Sequence, residues 1–600
     1  MYVLGISCFY HDSAACLVKN GMVLAAAHEE RFTRVRHDEN FPQEAVKFCL
    51  DFAKITPPDL SAVAFYDKPF LKFERLLETY LGTWPKGILS WSKAMPVWLS
   101  KKLWIKSLIQ DKLEGYNGEI YFPEHHLSHA ASAFLVSPFD RAAILTIDGV
   151  GEWTTATKGF GEGTKITLTH QINFPDSLGL LYSAFTYYTG FKVNSAEYKL
   201  MGLAPYGQPK YAKLIMDELI DIKPDGSFKM NMKYFAYPYG LRMTNSAFHR
   251  LFEHDPTPSG QKPTDFEKDI AASIQAVTDE IMLRLTRSLY QETRLENLCL
   301  AGGVALNCVS NGKILKDGKF KNLFIQPAAG DAGGALGAAE VTYYAWKGPT
   351  PPRRGRTLRP QKRDWIFDSA FLGPEYSNAE IQKLLDSYKI SYKKVTRYQI
   401  VKTTAGLIEN QKVVGWFQGR MEWGPRALGN RSILADARNP ENQKRVNLAI
   451  KFRESFRPFA PVVLEDKIDP WFDADWTDPY MITVCQVKRG RKILTDRDNS
   501  RIPAVTHVDG SARIQTVNRA QNQLYYDVIN EFYKRTGVPV LINTSFNRRG
   551  EPIVCTPQNA IDCFLGTNMD NLVIGSFILD KKDMPDKLIE AAGKQSFSPD

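Results

Sequence analysis

The sequence predicts an α/β protein of two domains, and three observations lead to this expectation. Short apolar runs typical of strands are followed by polar, glycine-rich turns, and this unit occurs twice, about 140 residues apart. A chain of 600 residues exceeds what one hydrophobic core normally supports. Residues 348–360 are rich in Pro, Gly and Arg, which is typical of an exposed connector. We therefore expect domains at residues 1–350 and 363–600, joined by a linker at 351–362.

The first domain opens with three apolar runs, at residues 3–7, 14–18 and 22–27. The dipeptide Asn20-Gly21 separates the second run from the third, and Asn-Gly strongly favours a tight hairpin turn. The sequence therefore predicts antiparallel strands at the start of the chain. A similar unit of strand, glycine-rich turn and strand recurs around residues 142–157, which predicts two similar subdomains.

Three histidines, His125, His126 and His129, lie within five residues of one another. The alanine-rich run that follows them favours a helix. Residues four apart share a helix face, so His125 and His129 can point at one ion. Two imidazoles are half of a typical transition-metal site. A polar helix start with solvated histidines is the alternative interpretation.

Two aspartates are candidates for the remaining metal ligands. Asp148 ends the apolar run at 142–148, and Asp331 follows a second apolar run and a turn. In α/β sheets, ligands gather at the carboxyl ends of strands. Two histidines and two aspartates suit iron, manganese or zinc, and the spacing does not choose among these metals.

Glycine-rich loops follow three of the predicted strands. Such loops let backbone N–H groups approach phosphate and adenosine closely. The residues in these loops that we predict to bind nucleotide or adenylate are Gly149, Gly151, Gly302, Gly303, Asn307, Gly330 and Gly333. Their order along the chain resembles that of the actin-like ATPase (ASKHA) superfamily, in which two phosphate loops and an adenosine loop lie on two similar subdomains. The resemblance is strongest to the TsaD-like branch, whose paired metal histidines match His125 and His129.

The C-terminal part concentrates cations on turn-rich loops beside aromatic residues and prolines. Arginine forks bind phosphate bidentately, and a lysine can serve as a point charge. This composition predicts an anion-binding pocket, with a salt-bridged surface as the alternative. The candidate residues of this pocket are Arg420, Arg426, Lys451, Arg453, Arg513, Asn543, Thr544, Ser545 and Asn547.

The overall composition is that of an ordinary globular enzyme, with 44% apolar and 24% charged residues. The net charge of +10 invites a nucleic-acid hypothesis, but the basic residues are dispersed and no nucleic-acid-binding module accompanies them, so we do not expect nucleic acid as a partner. The eight cysteines form no CxxC pair, which is typical of buried thiols in a reducing compartment. No signal peptide or apolar run of membrane length is present, so we expect a cytoplasmic protein without a membrane partner.

Six longer motifs resemble those of the O-carbamoyltransferases, a family that includes nodulation-factor, cephem, tobramycin and saxitoxin-type enzymes. The resemblance covers essentially the whole chain. The motifs lie at residues 11–15, 29–37, 125–129, 196–207, 424–429 and 543–547.

The resemblance implies a TsaD-like N-terminal domain followed by an α+β YrdC-like C-terminal domain. The C-terminal domain would form carbamoyl-adenylate from carbamoyl phosphate and ATP, with Mg²⁺ accompanying ATP. The N-terminal domain would bind that adenylate, with contributions from Lys199 and Gly202, and with a metal that is usually iron (Fe²⁺). There the carbamoyl group would pass to a hydroxyl of a small-molecule acceptor from antibiotic or toxin biosynthesis.

His11, Asp12 and Arg36 are the candidate catalytic residues. His11 lies in a polar turn beside Asp12, which is the arrangement of a general base with an orienting carboxylate. Asp12 could instead only cap the turn. Arg36 stands where many relatives carry lysine, and both side chains are cationic.

Two other functions remain open at this point. A tRNA threonylcarbamoyl transferase would use similar adenylate chemistry, and a non-enzymatic actin-like ATPase would need no metal histidines. The acceptor is not identified by sequence, although residues 66–113 and 223–263 are candidate contacts because they are rich in Trp, Lys and Tyr. A homodimer is a further open alternative.

Overall fold

A computed structural model describes residues 1–348, 362–453 and 457–594. The chain forms two compact units. One comprises Met1–Glu29 and His37–Phe367, and the other comprises Glu30–Arg36 and Asp368–Asp600. The predicted linker at 351–362 lies, except for its last residue, outside the described residues.

The first sheet of the first unit has five strands in the order β3-β2-β1-β4-β5. The first three strands are antiparallel neighbours, which confirms the predicted hairpins, and the last two join parallel to β1 and β4. The strands are β1 (Tyr2–Ser7), β2 (Ala14–Lys19), β3 (Met22–His28), β4 (Ala62–Phe65) and β5 (Ile120–Tyr121).

The second sheet of this unit has the order β12-β11-β6-β7-β8. Its first three strands along the chain are also antiparallel neighbours. Strand β11 then pairs in parallel with β6, and β12 pairs in parallel with β11. The strands of this sheet are β6 (Arg141–Ile147), β7 (Thr154–Glu162), β8 (Lys165–Asn173), β11 (Asn297–Ala301) and β12 (Asn322–Phe324). A separate hairpin of β9 (Ile220–Ile222) and β10 (Phe228–Met230) lies between β8 and β11 in the chain.

The two five-stranded sheets therefore share one topology: three antiparallel strands followed by two parallel additions on the side of the first strand. This repeat confirms the predicted α/β fold with two similar subdomains. In both sheets the turn after the first strand carries predicted site residues, His11 and Asp12 in one and Asp148 to Gly151 in the other.

Twelve α-helices of the first unit surround these sheets in the part of the chain that the structure describes. A thirteenth, α1 (Glu30–Thr33), precedes them in the chain and belongs to the second unit. The twelve are α2 (Gln43–Ala53), α3 (Pro69–Thr83), α4 (Ile88–Ser100), α5 (Ile105–Lys112), α6 (His125–Phe134), α7 (Leu178–Tyr188), α8 (Glu197–Leu203), α9 (Ala212–Leu214), α10 (Ser246–Leu251), α11 (Asp265–Thr293), α12 (Cys308–Asp317) and α13 (Asp331–Lys347).

Helix α13 packs closely against both α6 and β1 because small residues line its surface. A Cβ atom on Gly337 would lie 1.8 Å from the carbonyl oxygen of Ser128, which is in α6. A Cβ atom on Gly5 of β1 would lie 1.8 Å from the carbonyl oxygen of Ala335 in α13. The backbones therefore approach to a distance that only glycine permits. This packing brings Asp331, the first residue of α13, beside the histidines of α6.

The second unit is built on a mixed sheet of eight strands in the order β13-β24-β23-β14-β15-β22-β16-β21. Two small two-stranded sheets, β17 with β20 and β18 with β19, are separate from it. The strands are β13 (Lys393–Lys394), β14 (Val414–Phe417), β15 (Arg431–Asp436), β16 (Ala460–Leu464), β17 (Val484–Gln486), β18 (Lys488–Arg489), β19 (Lys492–Ile493), β20 (Ser511–Arg513), β21 (Gln515–Val517), β22 (Val540–Ser545), β23 (Asn571–Ile574) and β24 (Phe577–Asp580).

Among the described residues of the second unit, six α-helices besides α1 cover this sheet. The two units together form a mixed α/β protein. Trp416, Phe532 and Phe564 are among the large side chains buried between the helices and the sheet. The helices are α14 (Asn378–Ser387), α15 (Arg397–Glu409), α16 (Glu441–Arg445), α17 (Gln523–Thr536), α18 (Pro557–Leu565) and α19 (Asp586–Gly593).

The segment Glu30–Arg36 is held in the second unit by its arginines. Arg34 donates to the carbonyl oxygens of Pro552 and Ile553, both at 2.7 Å, and to the Glu551 carboxylate at 2.9 Å. Arg31 donates to the carbonyl oxygen of Gly424 at 2.9 Å. An N-terminal segment thus completes the packing of the C-terminal unit, which the sequence does not predict.

Across the described residues, every helix is too short or too polar to cross a lipid bilayer.

The glycine at the contact between α13 and α6 gives a test of this packing. We expect Gly337→Ala to destabilise the protein by about 1–3 kcal/mol, because the added methyl group overlaps the Ser128 carbonyl. Gly82→Ala is the control, since a Cβ there has no heavy atom within 4 Å and Gly82 is in a helix. Calorimetric Tm values measure both. Equal Tm values for the two variants would contradict the packing described here.

Candidate functional site

Four side chains of the first unit converge on one buried point. They are His125 and His129 from α6, Asp148 after β6, and Asp331 at the start of α13. One ligand atom from each lies within 4.8 Å of all the others. The predicted helix over the histidines is confirmed, and the two imidazoles one turn apart have Nε2 atoms 3.0 Å from each other.

Each carboxylate faces both imidazoles. Asp148 Oδ2 lies 3.0 Å from His125 Nε2 and 3.4 Å from His129 Nε2. Asp331 Oδ1 lies 3.6 Å from each of the same two nitrogen atoms. Burial by itself lowers the pKa of His129, but the two carboxylates outweigh this effect and raise it to about 9. The two carboxylates therefore favour a positive charge at this point.

The unpaired atoms at this point fit a divalent metal. Asp331 is 1% exposed, and neither of its carboxylate oxygens has a hydrogen-bond partner among the described residues. An unpaired buried carboxylate is costly unless a cation compensates it. Two imidazole nitrogens and two carboxylate oxygens form a donor set that iron, manganese and zinc accept. The metal-binding role of these residues stays a prediction, and so does the identity of the metal.

Neighbouring groups fix the orientation of these four side chains. The backbone N–H of Gly303 donates to Asp148 Oδ1 at 2.8 Å, which turns the other oxygen towards the histidines. Glu152 accepts the backbone N–H of His125 at 3.0 Å and so caps the start of α6. Gly151 must lack a side chain, because a Cβ there would lie 2.9 Å from the His125 ring.

His126 points away from the cluster and is not a ligand candidate. Its Nε2 donates to the carbonyl oxygen of Thr154 at 2.9 Å, and its Nδ1 accepts from the Thr146 hydroxyl at 2.6 Å. Burial and the two neighbouring histidines hold the pKa of His126 well below its usual range. This neutral imidazole locks α6 to β6 and β7.

A second pair of histidines flanks Asp12. His11 donates through Nδ1 to Asp12 Oδ2 at 2.9 Å, and His37 donates through Nδ1 to Asp12 Oδ1 at 2.7 Å. The remaining nitrogen of His11, Nε2, lies 3.8 Å from Asp331 Oδ2. Asp12 and His37 both adopt a φ of 53°, a left-handed conformation that is strained for these residues and common at functional sites.

The charges around His11 favour its protonated form. Burial lowers its pKa, but Asp331 and Asp12 outweigh burial and raise it to about 10. A cation on Asp331 opposes this effect by neutralising the largest of the raising charges. The predicted role of His11 as a base therefore depends on the same four-ligand cluster.

Sequence reasoning missed three residues of this site. His37 holds Asp12, and its only signal was its place at the end of the motif at 29–37. Lys72 forms an ion pair with Asp67, and its ammonium lies 5.2 Å from the centre of the Tyr66 ring. Asp67 and Asp331 raise the pKa of Lys72 against the effect of burial. The pair Asp67 and Lys72 matches no motif, since a spacing of five residues fits neither the helical nor the strand repeat.

The predicted nucleotide-binding residues differ in their backbone conformation, burial and hydrogen bonding. Gly302 has a φ of 93° and passes so close to the Ile147 carbonyl that a Cβ would lie 2.1 Å from its oxygen. Asn307 caps α12 and donates to Gln275 at 3.1 Å, so its side chain is engaged within the fold. Lys199 is 4% exposed in α8, which also carries Gly202.

Gly149 accepts a hydrogen bond from Ser177 at its carbonyl oxygen, and Gly330 is the N-cap residue of α13. Gly333 leaves no room for a side chain, because a Cβ there would lie 2.2 Å from the Ala328 carbonyl oxygen. The roles of these residues in nucleotide binding stay predictions. Arg36 is half-buried in the segment that belongs to the second unit.

The second unit has its own buried polar cluster, centred on Lys451. The ammonium donates to Ser545 Oγ at 3.1 Å, to Asn547 Oδ1 at 2.6 Å and to the carbonyl oxygens of both residues. Burial, together with the charges of Arg453 and Arg457, holds the pKa of Lys451 well below its usual range. The structure thus brings three of the predicted anion-site residues together.

Asn543 and Arg420 are partly engaged in holding their own loops. Asn543 donates to Gln515 at 2.6 Å and to the carbonyl oxygen of Ala427 at 3.2 Å, which fixes the loop beside Arg426. Arg420 donates to the carbonyl oxygens of Leu372 and Gly373.

Three more of the residues predicted to bind anions lie elsewhere in the second unit. Arg453 donates to Asn447 at 2.8 Å and covers the Phe459 ring at 4.8 Å. Thr544 is half-buried in β22, and Arg513 is half-buried in β20. Their contact with substrates stays a prediction.

Two family models match the chain. The model described as carbamoyltransferase N-terminus matches residues 2–340, and the model described as carbamoyltransferase C-terminus matches residues 405–581.

Several full-length relatives resemble the chain. It is 49% identical to an uncharacterised protein of Synechocystis over the whole of both chains. It is 37% identical to the nodulation protein NolNO of Sinorhizobium fredii, over 96% of this chain and 79% of that protein. It is 39% identical to the nodulation protein NolO of Bradyrhizobium diazoefficiens, over 76% of this chain and 79% of that protein.

Solved structures resemble the chain more distantly. The component A of the (R)-2-hydroxyglutaryl-CoA dehydratase of Acidaminococcus fermentans is 14% identical, with a TM-score of 0.33 over 58% of this chain and all of that one. HypF of T. kodakarensis is 14% identical, with a TM-score of 0.31 over 58% of this chain and 48% of that one. Similarity at this level carries no functional conclusion.

Substitution of the two histidines tests the buried cluster as a metal site. We expect His125→Ala and His129→Ala each to abolish stoichiometric binding of Fe²⁺, Mn²⁺ or Zn²⁺, because each removes one of four ligands. Elemental analysis after dialysis against each metal measures this binding. His170→Ala is the matched control, since His170 is an exposed histidine of the same unit. Undiminished metal in the His125 and His129 variants would show that the metal binds elsewhere.

Proposed function

The chain belongs to the carbamoyltransferase family, and we propose that it is an ATP-dependent O-carbamoyltransferase with two sites. The second unit forms carbamoyl-adenylate from carbamoyl phosphate and ATP, and the first unit transfers the carbamoyl group to a hydroxyl of a small-molecule acceptor. The observation that carries the proposal is that each unit holds its own buried polar cluster, one rich in carboxylates and one rich in cations. A non-enzymatic ATPase is at odds with membership of this family.

The atom balance of the first half-reaction requires one water molecule. Water splits carbamoyl phosphate into carbamate and phosphate, and a carbamate oxygen then attacks the α-phosphorus of ATP. The bond from that phosphorus to the bridging oxygen breaks, and pyrophosphate leaves. The adenylate formed has AMP as a good leaving group, whereas free carbamate is a poor electrophile.

The residues around Lys451 suit this first half-reaction, because both substrates are polyanions. Lys451 is held by Ser545 and Asn547, so a phosphate oxygen can replace the carbonyl oxygens as the acceptor of its N–H groups. Burial and the neighbouring cations hold the pKa of Lys451 well below its usual range, and a bound anion opposes this by favouring the charged ammonium. Arg426 and Arg513 supply further fixed charge in this proposal, and Mg²⁺ accompanies ATP.

In the second half-reaction the acceptor hydroxyl attacks the carbamoyl carbon, and the bond to the AMP oxygen breaks. His11 takes the hydroxyl proton on Nε2, because its Nδ1 is engaged with Asp12. His37 binds the other oxygen of Asp12 and fixes the orientation of the pair. AMP and the carbamoylated acceptor are the products.

The residues that would hold the metal are His125, His129, Asp148 and Asp331. A divalent ion held there, iron by the family resemblance, would supply Lewis-acid polarisation and positive charge for an adenylate. Gly303 and Glu152 hold these ligands in place through hydrogen bonds to Asp148 and to the backbone of His125. Residues 66–113 and 223–263 are the proposed source of acceptor contacts.

Separation of the half-reactions tests the proposal. With ATP and carbamoyl phosphate but no acceptor, we expect the full-length protein to release AMP and pyrophosphate only when carbamoyl phosphate is present. We expect Arg426→Ala to slow this step by about 10²–10³, the usual cost of losing a positioned charge or donor, and to leave transfer from supplied carbamoyl-adenylate intact. His129→Ala should show the opposite pattern. Chromatography of nucleotides and of labelled carbamoyl product measures both steps.

Arg491→Ala is the control for the first step, since Arg491 is an exposed arginine of the same unit. Release of ADP and phosphate in place of AMP and pyrophosphate would refute the adenylate chemistry. Equal loss of both steps in Arg426→Ala and in His129→Ala would refute the assignment of one step to each unit.

A further inference from the structure

Exposed apolar side chains are concentrated in one part of the first unit. Nine of the 22 exposed large hydrophobic side chains among the described residues lie between residues 70 and 104. We call residues 69–112, which include helices α3, α4 and α5, the exposed helical segment. Soluble monomers rarely leave so many neighbouring apolar side chains in water, and such a patch marks an interaction surface.

Helix α4 is apolar on both of its sides. At 100° per residue, Ile88, Leu89 and Leu99 share one half of its circumference, and all three are exposed, Leu89 at 70%. The opposite half carries Trp91 and Trp98, which are both half-buried against aromatic side chains of α3. A helix with two apolar sides is normally covered on both. We therefore expect the outer side of α4 to contact a partner that has an apolar layer.

Helix α3 carries as many acidic as basic residues, and the part of the segment that follows it is strongly basic. Residues 81–113 contain six lysines and one acidic residue, Asp111. Lys102 is turned inward and donates to the carbonyl oxygen of Phe9. The other five lysines are exposed, and they are Lys86, Lys93, Lys101, Lys106 and Lys112. The partner must therefore also be anionic.

Two exposed tryptophans border the apolar side of α4. Trp84 is 68% exposed just before this helix, and Trp104 is 61% exposed just after it. The indole N–H of Trp104 is satisfied by the Leu99 carbonyl oxygen at 2.8 Å, so its ring can enter an apolar layer without losing a hydrogen bond. Tryptophan favours the boundary between lipid headgroups and acyl chains.

We propose that the exposed helical segment docks the protein on the surface of an anionic lipid bilayer. Exposed leucines and tryptophans insert at the headgroup boundary, and the surrounding lysines bind lipid phosphates. The helices lie in the plane of the surface, so no membrane-spanning helix is needed. A second copy of the chain fits less well, because a two-fold contact through this surface places its lysines against one another.

Docking would also bring the candidate site of the first unit towards the lipid. The inner side of α3 carries Lys72, which pairs with Asp67 and lies near Tyr66 and Tyr10 of the metal-cluster region. The outer side of the same helix carries Phe70, which is 72% exposed. Helix α3 would thus separate the bilayer from this site.

Vesicle sedimentation with the full-length protein tests the proposal. The probes are vesicles of equal parts phosphatidylcholine and phosphatidylglycerol, and vesicles of phosphatidylcholine alone. We expect binding to the anionic vesicles, weak binding to the neutral ones, and loss of binding at high salt. Lys93→Glu should weaken binding at least fivefold, and Trp84→Ser with Leu89→Ser should weaken it about tenfold or more, because both side chains lose burial in the lipid.

Matched controls distinguish the segment from the rest of the surface. Lys383→Glu removes an exposed lysine of the second unit, and Met22→Ser removes an exposed apolar side chain of the first unit. Both should bind vesicles as the unaltered protein does. Absence of binding to anionic vesicles would overturn the proposal. So would a concentration-dependent dimer, measured by light scattering, that the Trp84→Ser, Leu89→Ser variant abolishes, since the surface would then be a contact between copies.

Discussion

Two carboxylates and two imidazoles meet in the interior of the first unit. Burying carboxylates costs free energy, and the architecture of this unit must compensate for that cost. Asp331 is the critical member, because its oxygens are buried without a hydrogen-bond partner among the described residues. Helix α13 can bring it there only because Gly337 allows contact with the backbone of α6. Glycines that appear in the sequence as nucleotide loops thus serve packing and ligand orientation as well. Gly303 and Gly151 show this most directly, through Asp148 and His125.

The second unit has the opposite electrostatic character. Lys451 is buried among oxygen acceptors and neighbouring cations, so its surroundings suit an anion. The two clusters therefore suit different ligands, since carboxylates and imidazoles favour a cation and ammonium and guanidinium groups favour an anion. The proposed reaction assigns the two clusters to different steps.

Much of this arrangement follows from local sequence. The hairpin after Asn20-Gly21, the helix over His125 to His129, and the placement of Asp148 after a strand all rest on short-range periodicity, and the structure confirms each. The remainder depends on contacts between residues distant in the chain. The attachment of Arg34 to Glu551 is such a contact, and no local pattern predicts it. The pair of Asp67 and Lys72 is close in the chain, but its spacing of five residues fits neither the helical nor the strand repeat. Arg420 illustrates the same limit, since sequence cannot tell an arginine that holds carbonyl oxygens from one that binds substrate.

The most direct measurement is X-ray absorption at the edge of the metal in the metal-loaded protein. The account predicts a first shell of imidazole nitrogen and carboxylate oxygen at about 2.0–2.2 Å, with the multiple-scattering signature of two histidines. All eight cysteines are buried away from the four-ligand cluster as free thiols, so no sulfur is expected in that shell. A shell with sulfur, or a shell of water oxygens without imidazole, would contradict the central role of His125, His129, Asp148 and Asp331.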